Sequence, residues 1–116
     1  MGEDRSFPKQ ARLTRRSEYL IVQRDGHRRH TAHLVVIRTP ARGARSRLGV
    51  TVSKRVGNSV VRNRVKRLLR ETFRHRQASI RPATDIVVIA KPSAETLTHA
   101  QVAAEFAKAL DLRADT

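Results

Sequence analysis

Apolar residues along the chain follow two spacings, and the first is typical of β-strands. Three segments combine β-branched runs or strict alternation with flanking proline or polar residues. These segments cover residues 32–38, 47–53 and 84–90, and the sequence also allows a short extra strand near residues 28–31. The basic loop at 41–46 predicts a hairpin-like connection between the first two strands.

The second spacing, of three and four residues, predicts three helices, at 14–25, 58–76 and 98–110. Gly26 follows the first helix and suits a left-handed end. Candidate N-terminal caps, in chain order, are Thr14 or Ser17, Asn58 or Ser59, and a capping box from Thr98 to Gln101.

The order of these elements predicts an α/β (α+β) sandwich. We expect a mixed sheet of about four strands and three helices in the order α-β-β-(β)-α-β-α, with the helices largely on one sheet face. At 116 residues the chain has the size of one domain. That domain is expected over residues 10–112, between flexible tails at 1–9 and 113–116.

The charge of the chain predicts a polyanionic partner. Lysine and arginine number 25 against 10 acids, which gives a formal net charge of +15. Twenty of the cations are arginines, whose planar guanidinium pairs with phosphate and stacks on bases. The composition therefore favours nucleic acid over a membrane surface as the partner, and we expect no small-molecule substrate.

The absence of cysteine and of long apolar segments narrows the class of protein further. Without cysteine, the chain has no disulfide, no thiol catalysis and no thiolate metal site. No apolar window is long enough to span a membrane, and the first residues lack the apolar core of a secretory signal. A cytoplasmic protein is expected.

The helix at 58–76 carries the densest charge, because nine cations and one acid, Glu71, lie between residues 54 and 76. At about 100° per residue, one row of polar side chains flanks the apolar stripe and a second row lies opposite it. The flanking row is Arg62, Lys66 and Arg70, and the opposite row is Asn63, Arg67 and Arg74. Like charges four residues apart destabilise a free helix, so this spacing favours a bound anion over a merely solvated face.

No segment has the pattern of an active site. The acids inside the predicted domain are scattered rather than clustered around a metal position. His27, His30 and His33 recur every third residue, but the stretch crosses from a turn into a strand, so surface histidines are expected rather than a zinc or acid-base site. We expect no catalytic residue and no metal bound by the protein.

Residues 49–71 carry a specific resemblance. The signature of the bacterial ribonuclease P protein subunit is similar to the ungapped segment GVTVSKRVGNSVVRNRVKRLLRE. Agreement extends from about Arg12 to Leu110. The resemblance implies an accessory subunit of an endoribonuclease, which binds a catalytic RNA and the 5′ leader of precursor tRNA. It also implies that the ribonucleoprotein uses Mg²⁺, with catalysis by the RNA and no cofactor held by the protein.

The resemblance assigns roles to two groups of residues. The surface implied for the catalytic RNA consists of Arg62, Asn63, Arg64, Arg67 and Arg74. The leader cleft, implied between the sheet and the first helix, consists of Tyr19, Lys54, Arg55, Lys66 and Arg70. Tyr19 offers an aromatic face on which a base can stack.

Two features qualify what the resemblance implies. Gln23 and Ile37 stand where related proteins often have Phe and Tyr, so we expect weaker stacking of the leader. The family fold also implies a left-handed crossover from strand 47–53 through the long helix to strand 84–90. Because about 98% of such crossovers are right-handed, the left hand is taken from the resemblance alone.

Composition alone leaves two other classes open. A ribosomal protein or RNA chaperone has the same excess of cations, and the RNA that copurifies with the protein distinguishes these from a ribonuclease P subunit. A helix-turn-helix protein that binds DNA is disfavoured, since the basic helix lies between two predicted strands rather than after a short helix and turn.

Overall fold

A four-stranded sheet with helices on both faces is formed by residues 11–112, the part of the chain that the computed structural model describes. Its elements are α1 (Arg16–Asp25), β1 (His27–His30), β2 (Leu34–Pro40), β3 (Arg47–Thr51), α2 (Ser59–Arg76), β4 (Thr84–Ala90) and α3 (His99–Ala109). The predicted class and element order are confirmed, including the extra strand. The tails predicted at 1–9 and 113–116 lie outside the described residues.

The strand order across the sheet is β1-β2-β4-β3. β2 is antiparallel to both β1 and β4, whereas β3 is parallel to β4. The hairpin-like connection predicted at 41–46 is wrong, because β4 lies between β2 and β3. β4 takes this central position since its side chains from Asp85 to Val88 are buried in succession, as expected for a strand covered on both faces. The left hand of the crossover through α2 stays a prediction.

Each face of the sheet has its own apolar core, because successive side chains of β2 and β4 point to opposite faces. α2 and α3 cover one face, with a core that includes Leu34, Val36, Phe73, Ile86, Val88 and Phe106. α1 covers the other face, with a core of Leu13, Val22, Val35, Ile37 and Val87. The expectation of helices largely on one face therefore holds for α2 and α3, but α1 packs on the opposite face.

The ends of α1 differ from the sequence prediction. Neither Thr14 nor Ser17 caps the helix; instead, the Glu18 carboxylate accepts hydrogen bonds from the backbone N–H groups of Thr14 and Arg15, both at 3.1 Å. Gly26 is extended (φ −79°), not left-handed. A Cβ at this position would lie 2.6 Å from the Ile37 Cγ2 atom, so the close packing of α1 on β2 requires the glycine.

The other two helices begin as predicted. The Asn58 side chain accepts a hydrogen bond from the Val61 N–H at 3.0 Å, which caps α2. Thr98 and Gln101 form the capping box of α3, with distances of 3.2 and 2.9 Å. These caps fix the start of both helices that cover the larger core.

Candidate nucleic-acid interface

Most carboxylates in residues 11–112 form ion pairs, but much of the positive charge on α2 has no acidic partner among these residues. The paired acids are Glu18, Asp25, Glu71, Asp85, Glu105 and Asp111. On α2, Arg74 pairs with Glu71 at 3.0 Å. Within the described chain, the cations of α2 that have no carboxylate in ion-pair range are Arg62, Arg64, Lys66, Arg67 and Arg70. Their charge is available to an external anion.

The two predicted rows on α2 differ in their surroundings. The helix buries Val65, Leu69 and Phe73 against the sheet, as the apolar stripe predicted. In the row opposite the stripe, Asn63 and Arg67 are exposed to solvent. In the flanking row, Lys66 is half-buried and Arg70 is exposed. One helix therefore presents basic side chains both beside the sheet and away from it.

Arg64 contacts the protein itself. Its guanidinium donates hydrogen bonds to the backbone carbonyls of Leu97 and Glu95, in the segment that leads into α3. A guanidinium has five N–H donors, so these two bonds leave others for a second partner. The role of Arg64 in RNA binding stays a prediction, and the structure adds a role in joining α2 to the start of α3.

The ring of Tyr19 lies directly against the backbone of β3. A Cβ at Gly49 would be only 2.6 Å from the Tyr19 Cζ atom, so no residue with a side chain fits beneath this ring. The Tyr19 hydroxyl also makes a hydrogen bond with the backbone of Val50. The aromatic ring is thus held in one position, half-exposed at the surface.

The electrostatics at Tyr19 connect it to α2. Burial raises the pKa of the Tyr19 hydroxyl above its ordinary value, although the hydrogen bond with Val50 and the positive charge of Arg70 act in the opposite direction. The hydroxyl therefore stays neutral at physiological pH. The positive charge of Arg70 acts on this hydroxyl, so two of the five predicted leader-cleft residues, from α1 and α2, interact electrostatically.

The path of the chain determines where the other predicted leader-cleft residues lie. Lys66 lies one helical turn before Arg70 on the same side of α2. Lys54 and Arg55 are exposed in the turn between β3 and α2, where Arg55 N–H donates to the Ser53 hydroxyl at 3.3 Å. They border the strand against which Tyr19 packs, and their contact with a leader stays a prediction.

Strand register defines the floor beside Tyr19. Thr51 lies opposite Ile89, Ile89 opposite Val35, and Val35 opposite His30. Side chains opposite each other in neighbouring strands point to the same face, which here is the face of α1. In this row Val35 is buried, Thr51 and Ile89 are half-buried and His30 is exposed, so α1 leaves the row partly open. A shallow cleft therefore runs along α1, with the sheet as its floor.

Gln23 and Ile37, which stand where related proteins often have Phe and Tyr, lie in different surroundings. Gln23 is one helical turn after Tyr19 and is half-buried on the same side of α1, so it borders the cleft. Ile37 is completely buried beneath α1. Weaker stacking of the leader stays a prediction, and Ile37 offers no stacking surface because its side chain belongs to the core.

An ion-pair network that sequence reasoning missed anchors α1 to the sheet. Arg47 pairs with buried Asp85 through two hydrogen bonds and with Glu18 of α1 at 2.6 Å. Hydrogen bonds from the Arg15 and Thr14 backbone and from Arg47 lower the pKa of Glu18 against the opposing effect of burial. The three residues are far apart in sequence, and only the parallel register of β3 with β4 brings Arg47 opposite Asp85.

The spaced histidines also separate in the fold. His27 and His30 are exposed on β1, as predicted. His33 is not a surface residue, since its Nδ1 lies 2.5 Å from the Glu105 carboxylate of α3 and its side chain is 21% exposed. Within residues 11–112, no three histidine, aspartate or glutamate side chains are grouped as a metal site would require.

Together these features define a class: a small, strongly basic α/β protein that presents a cation-rich helix and a shallow cleft with one ordered aromatic ring. α2 connects two strands, which contradicts a helix-turn-helix arrangement. No helix in the described part of the chain has the length and apolarity needed to cross a membrane.

Comparison with known proteins identifies the family. Residues 7–112 match the family model described as Ribonuclease P. The ribonuclease P protein component of Citrifermentans bemidjiense is 42% identical over 104 residues, which cover 90% of this chain and 89% of that protein. The counterpart from Desulfovibrio desulfuricans is 45% identical over 103 residues and covers 85% and 79% of the two chains.

Solved structures agree with this result. The ribonuclease P protein of Staphylococcus aureus superposes with a TM-score of 0.80 at 31% identity, covering 87% of this chain and 93% of that one. The protein of Thermotoga maritima superposes with a TM-score of 0.77 at 28% identity, with coverage of 85% and 94%. The chain belongs to the ribonuclease P protein family and is an accessory subunit of this endoribonuclease, which matures the 5′ end of tRNA. Its partner is the RNA of ribonuclease P.

Proposed function

We propose that this protein holds the 5′ leader of precursor tRNA in the cleft beside α1 while the outer side of α2 binds the catalytic RNA. The observation that carries the leader assignment is the fixed ring of Tyr19 on β3, with the positive charge of Arg70 acting on its hydroxyl. A half-exposed aromatic ring next to a cation suits a single-stranded nucleotide, because the ring stacks on the base and the cation pairs with the phosphate.

The catalytic RNA is assigned to the opposite row of α2. Asn63 and Arg67 are exposed there and point away from the sheet, so an RNA bound to them need not displace the leader. Arg74 and the unused donors of Arg64 extend this surface along the helix, and Arg62 precedes Asn63 in the chain at the edge of the flanking row. These contacts are expected to be mainly with phosphates, which fix position without reading sequence.

Catalysis is assigned to the RNA, with Mg²⁺ supplied to the ribonucleoprotein. The protein contributes positive charge where two RNA strands approach, which lowers the amount of Mg²⁺ needed to offset their repulsion. We expect the purified protein alone to cleave no precursor tRNA, and the protein to increase cleavage by its RNA most strongly at low Mg²⁺. Cleavage by RNA-free protein that an active-site substitution abolishes would contradict this assignment.

The leader assignment is tested by comparing substrates with the reconstituted holoenzyme. Lys66→Ala and Arg70→Ala should weaken binding of precursor tRNA but not of mature tRNA, because only the precursor has a leader. Arg67→Ala on the outer row is the matched control: it removes the same charge and should weaken assembly with the catalytic RNA for either substrate. Equal losses on both tRNAs for the Lys66 and Arg70 variants would refute the leader cleft.

A further inference from the structure

The edge strand β1 is unusually basic, with the sequence His27-Arg28-Arg29-His30 and all four side chains exposed. β1 lies at the opposite edge of the sheet from β3, so it is distant from α2. Three strand spacings separate the two edges, which amounts to about 14 Å. The charge at this edge is therefore separate from the basic surface of α2.

Register divides these four residues between the two faces of the sheet. Arg28 lies opposite Ile37 and His30 opposite Val35, and both apolar partners belong to the core under α1. Arg28 and His30 therefore point to the face that carries the leader cleft. Arg29 lies opposite Val36, which belongs to the core under α2 and α3, so it points to the other face.

The contacts of Arg29, the residue next to Arg28, agree with this division between the two faces. Arg29 pairs with Asp111 at 2.6 Å and donates weakly to the Lys108 and Ala109 carbonyls at the end of α3. The charge of Arg29 is thus compensated within the protein. Arg28 has no carboxylate in ion-pair range within the described residues.

The cleft leads directly to this edge. Its floor continues from Thr51 through Ile89 and Val35 to His30, and its wall continues from Tyr19 along α1 to Gln23. α1 then ends at Asp25, two residues before β1. A strand of RNA that follows this wall away from Tyr19 arrives at Arg28 and His30.

We infer that Arg28 and His30 form a distal subsite for backbone phosphates of the leader, beyond the nucleotides held at Tyr19 and Arg70. This inference rests on the proposed leader cleft and extends it across the full width of the sheet. The subsite contacts phosphate rather than base edges, so it acts on leader length and not on leader sequence.

Two arginine variants test the subsite with a matched control. Arg28→Ala and Arg29→Ala remove the same charge from adjacent positions on opposite faces. Each holoenzyme is titrated with precursor tRNA carrying a short leader of about four nucleotides or a long one of about 12. Arg28→Ala should weaken binding of the long leader up to about fivefold and leave the short leader unchanged, as expected for an exposed ion pair. The salt slope is the slope of log affinity against log salt concentration. For Arg28→Ala on the long leader, the steepness of this slope should decrease by about 0.7.

Arg29→Ala should show no dependence on leader length. Equal losses on both leaders, or the same length dependence for Arg28→Ala and Arg29→Ala, would overturn the subsite. The proposed leader cleft is judged separately: if Lys66→Ala and Arg70→Ala respond to a leader but Arg28→Ala does not, only the extension fails.

A second measurement does not depend on affinity. The chain has no cysteine, so Arg28→Cys and Arg29→Cys each introduce a unique thiol for a photoreactive crosslinker. Arg28→Cys should crosslink to leader nucleotides far from the cleavage site only when the leader is long, and Arg29→Cys should not crosslink to the leader. Crosslinks from Arg28→Cys to the catalytic RNA alone would also overturn the inference.

Discussion

Arg47 and Asp85 are joined by two parallel hydrogen bonds, of 3.1 Å from Nε and 2.8 Å from Nη2, although 37 residues separate them in the sequence. Asp85 is 2% exposed. A carboxylate so buried needs a charged partner, because an unpaired charge inside a protein is strongly destabilising. The pair also brings Arg47 within reach of Glu18, so a single guanidinium connects β3, β4 and α1.

Arg47→Leu should therefore destabilise the protein by about 3–5 kcal/mol, since it leaves the Asp85 carboxylate buried without its partner. Urea unfolding in sulfate buffer measures the loss. Arg45→Leu is the control, because Arg45 is exposed in the preceding loop, and it should change the free energy of unfolding by less than about 0.5 kcal/mol. Similar losses for both variants would show that the buried pair has no special role.

Arg64 and Arg67 should separate a structural contribution from an RNA contact. Arg64→Ala removes hydrogen bonds to the Leu97 and Glu95 carbonyls and should cost about 1–3 kcal/mol of stability. Arg67→Ala should leave unfolding unchanged but lower the salt slope for binding the catalytic RNA by about 0.9. Unfolding and RNA titration of both variants decide this, and an Arg64 variant with unchanged stability would contradict the first part.

Tyr19 should contribute by stacking rather than by charge. Tyr19→Ala should reduce affinity for precursor tRNA by about 1–3 kcal/mol, toward the lower end because Gln23 offers no second aromatic ring, with little change in salt slope. Tyr19→Phe keeps the ring above Gly49 and should retain most of the affinity. A Phe variant as weak as the Ala variant would assign the effect to the hydroxyl and its contact with Val50.

Acid should weaken the attachment of α3 through Glu105. Burial alone would raise the pKa of this carboxyl, but hydrogen bonds from Thr31 and His33 outweigh it and hold the pKa below its ordinary value of 4.5. The stabilisation is therefore complete above about pH 4.5 and is lost as the pH falls through the lower folded pKa. Glu105→Gln should cost about 1 kcal/mol at neutral pH and flatten the acid dependence of unfolding. Glu95→Gln, at an exposed position, should leave the acid dependence as in the parent protein.

Anions should stabilise the free protein. A net charge of +15 on a domain of this size is self-repelling, and the cations of α2 lie beside one another with a single acid, Glu71, among them. Sulfate should raise the melting temperature by binding the folded form, which circular dichroism in buffers of matched ionic strength can measure. A melting temperature that depends only on ionic strength, and not on the identity of the anion, would argue for screening rather than binding.

The sequence was sufficient for the elements whose signals are local. The cap at Asn58, the capping box at Thr98 and the apolar run at 84–90 each predicted an element that the structure confirms, because neighbouring residues determine these features. The apolar stripe of α2 likewise predicted which side of the helix packs on the sheet.

Contacts between residues far apart in the sequence could not be predicted from such local signals. The loop at 41–46 resembles a hairpin connection, and only the insertion of β4 between β2 and β3 shows otherwise. Ile37 illustrates the same limit within the candidate site: its burial follows from the position of α1 over β2, which no residue near Ile37 signals. The network of Arg47, Asp85 and Glu18 depends on both features, and so could not be predicted.

The position of β4 has a consequence for synthesis of the chain. It is the last strand to leave the ribosome, yet it lies between β2 and β3 and pairs with both. Until residues 84–90 emerge, β3 has no partner strand and a nascent chain presents β2 with one edge unpaired. The basic helix is complete before this happens, so it is exposed beside the ribosome's own RNA while the sheet is still open. Completion of the sheet therefore depends on the central strand, which emerges only after α2.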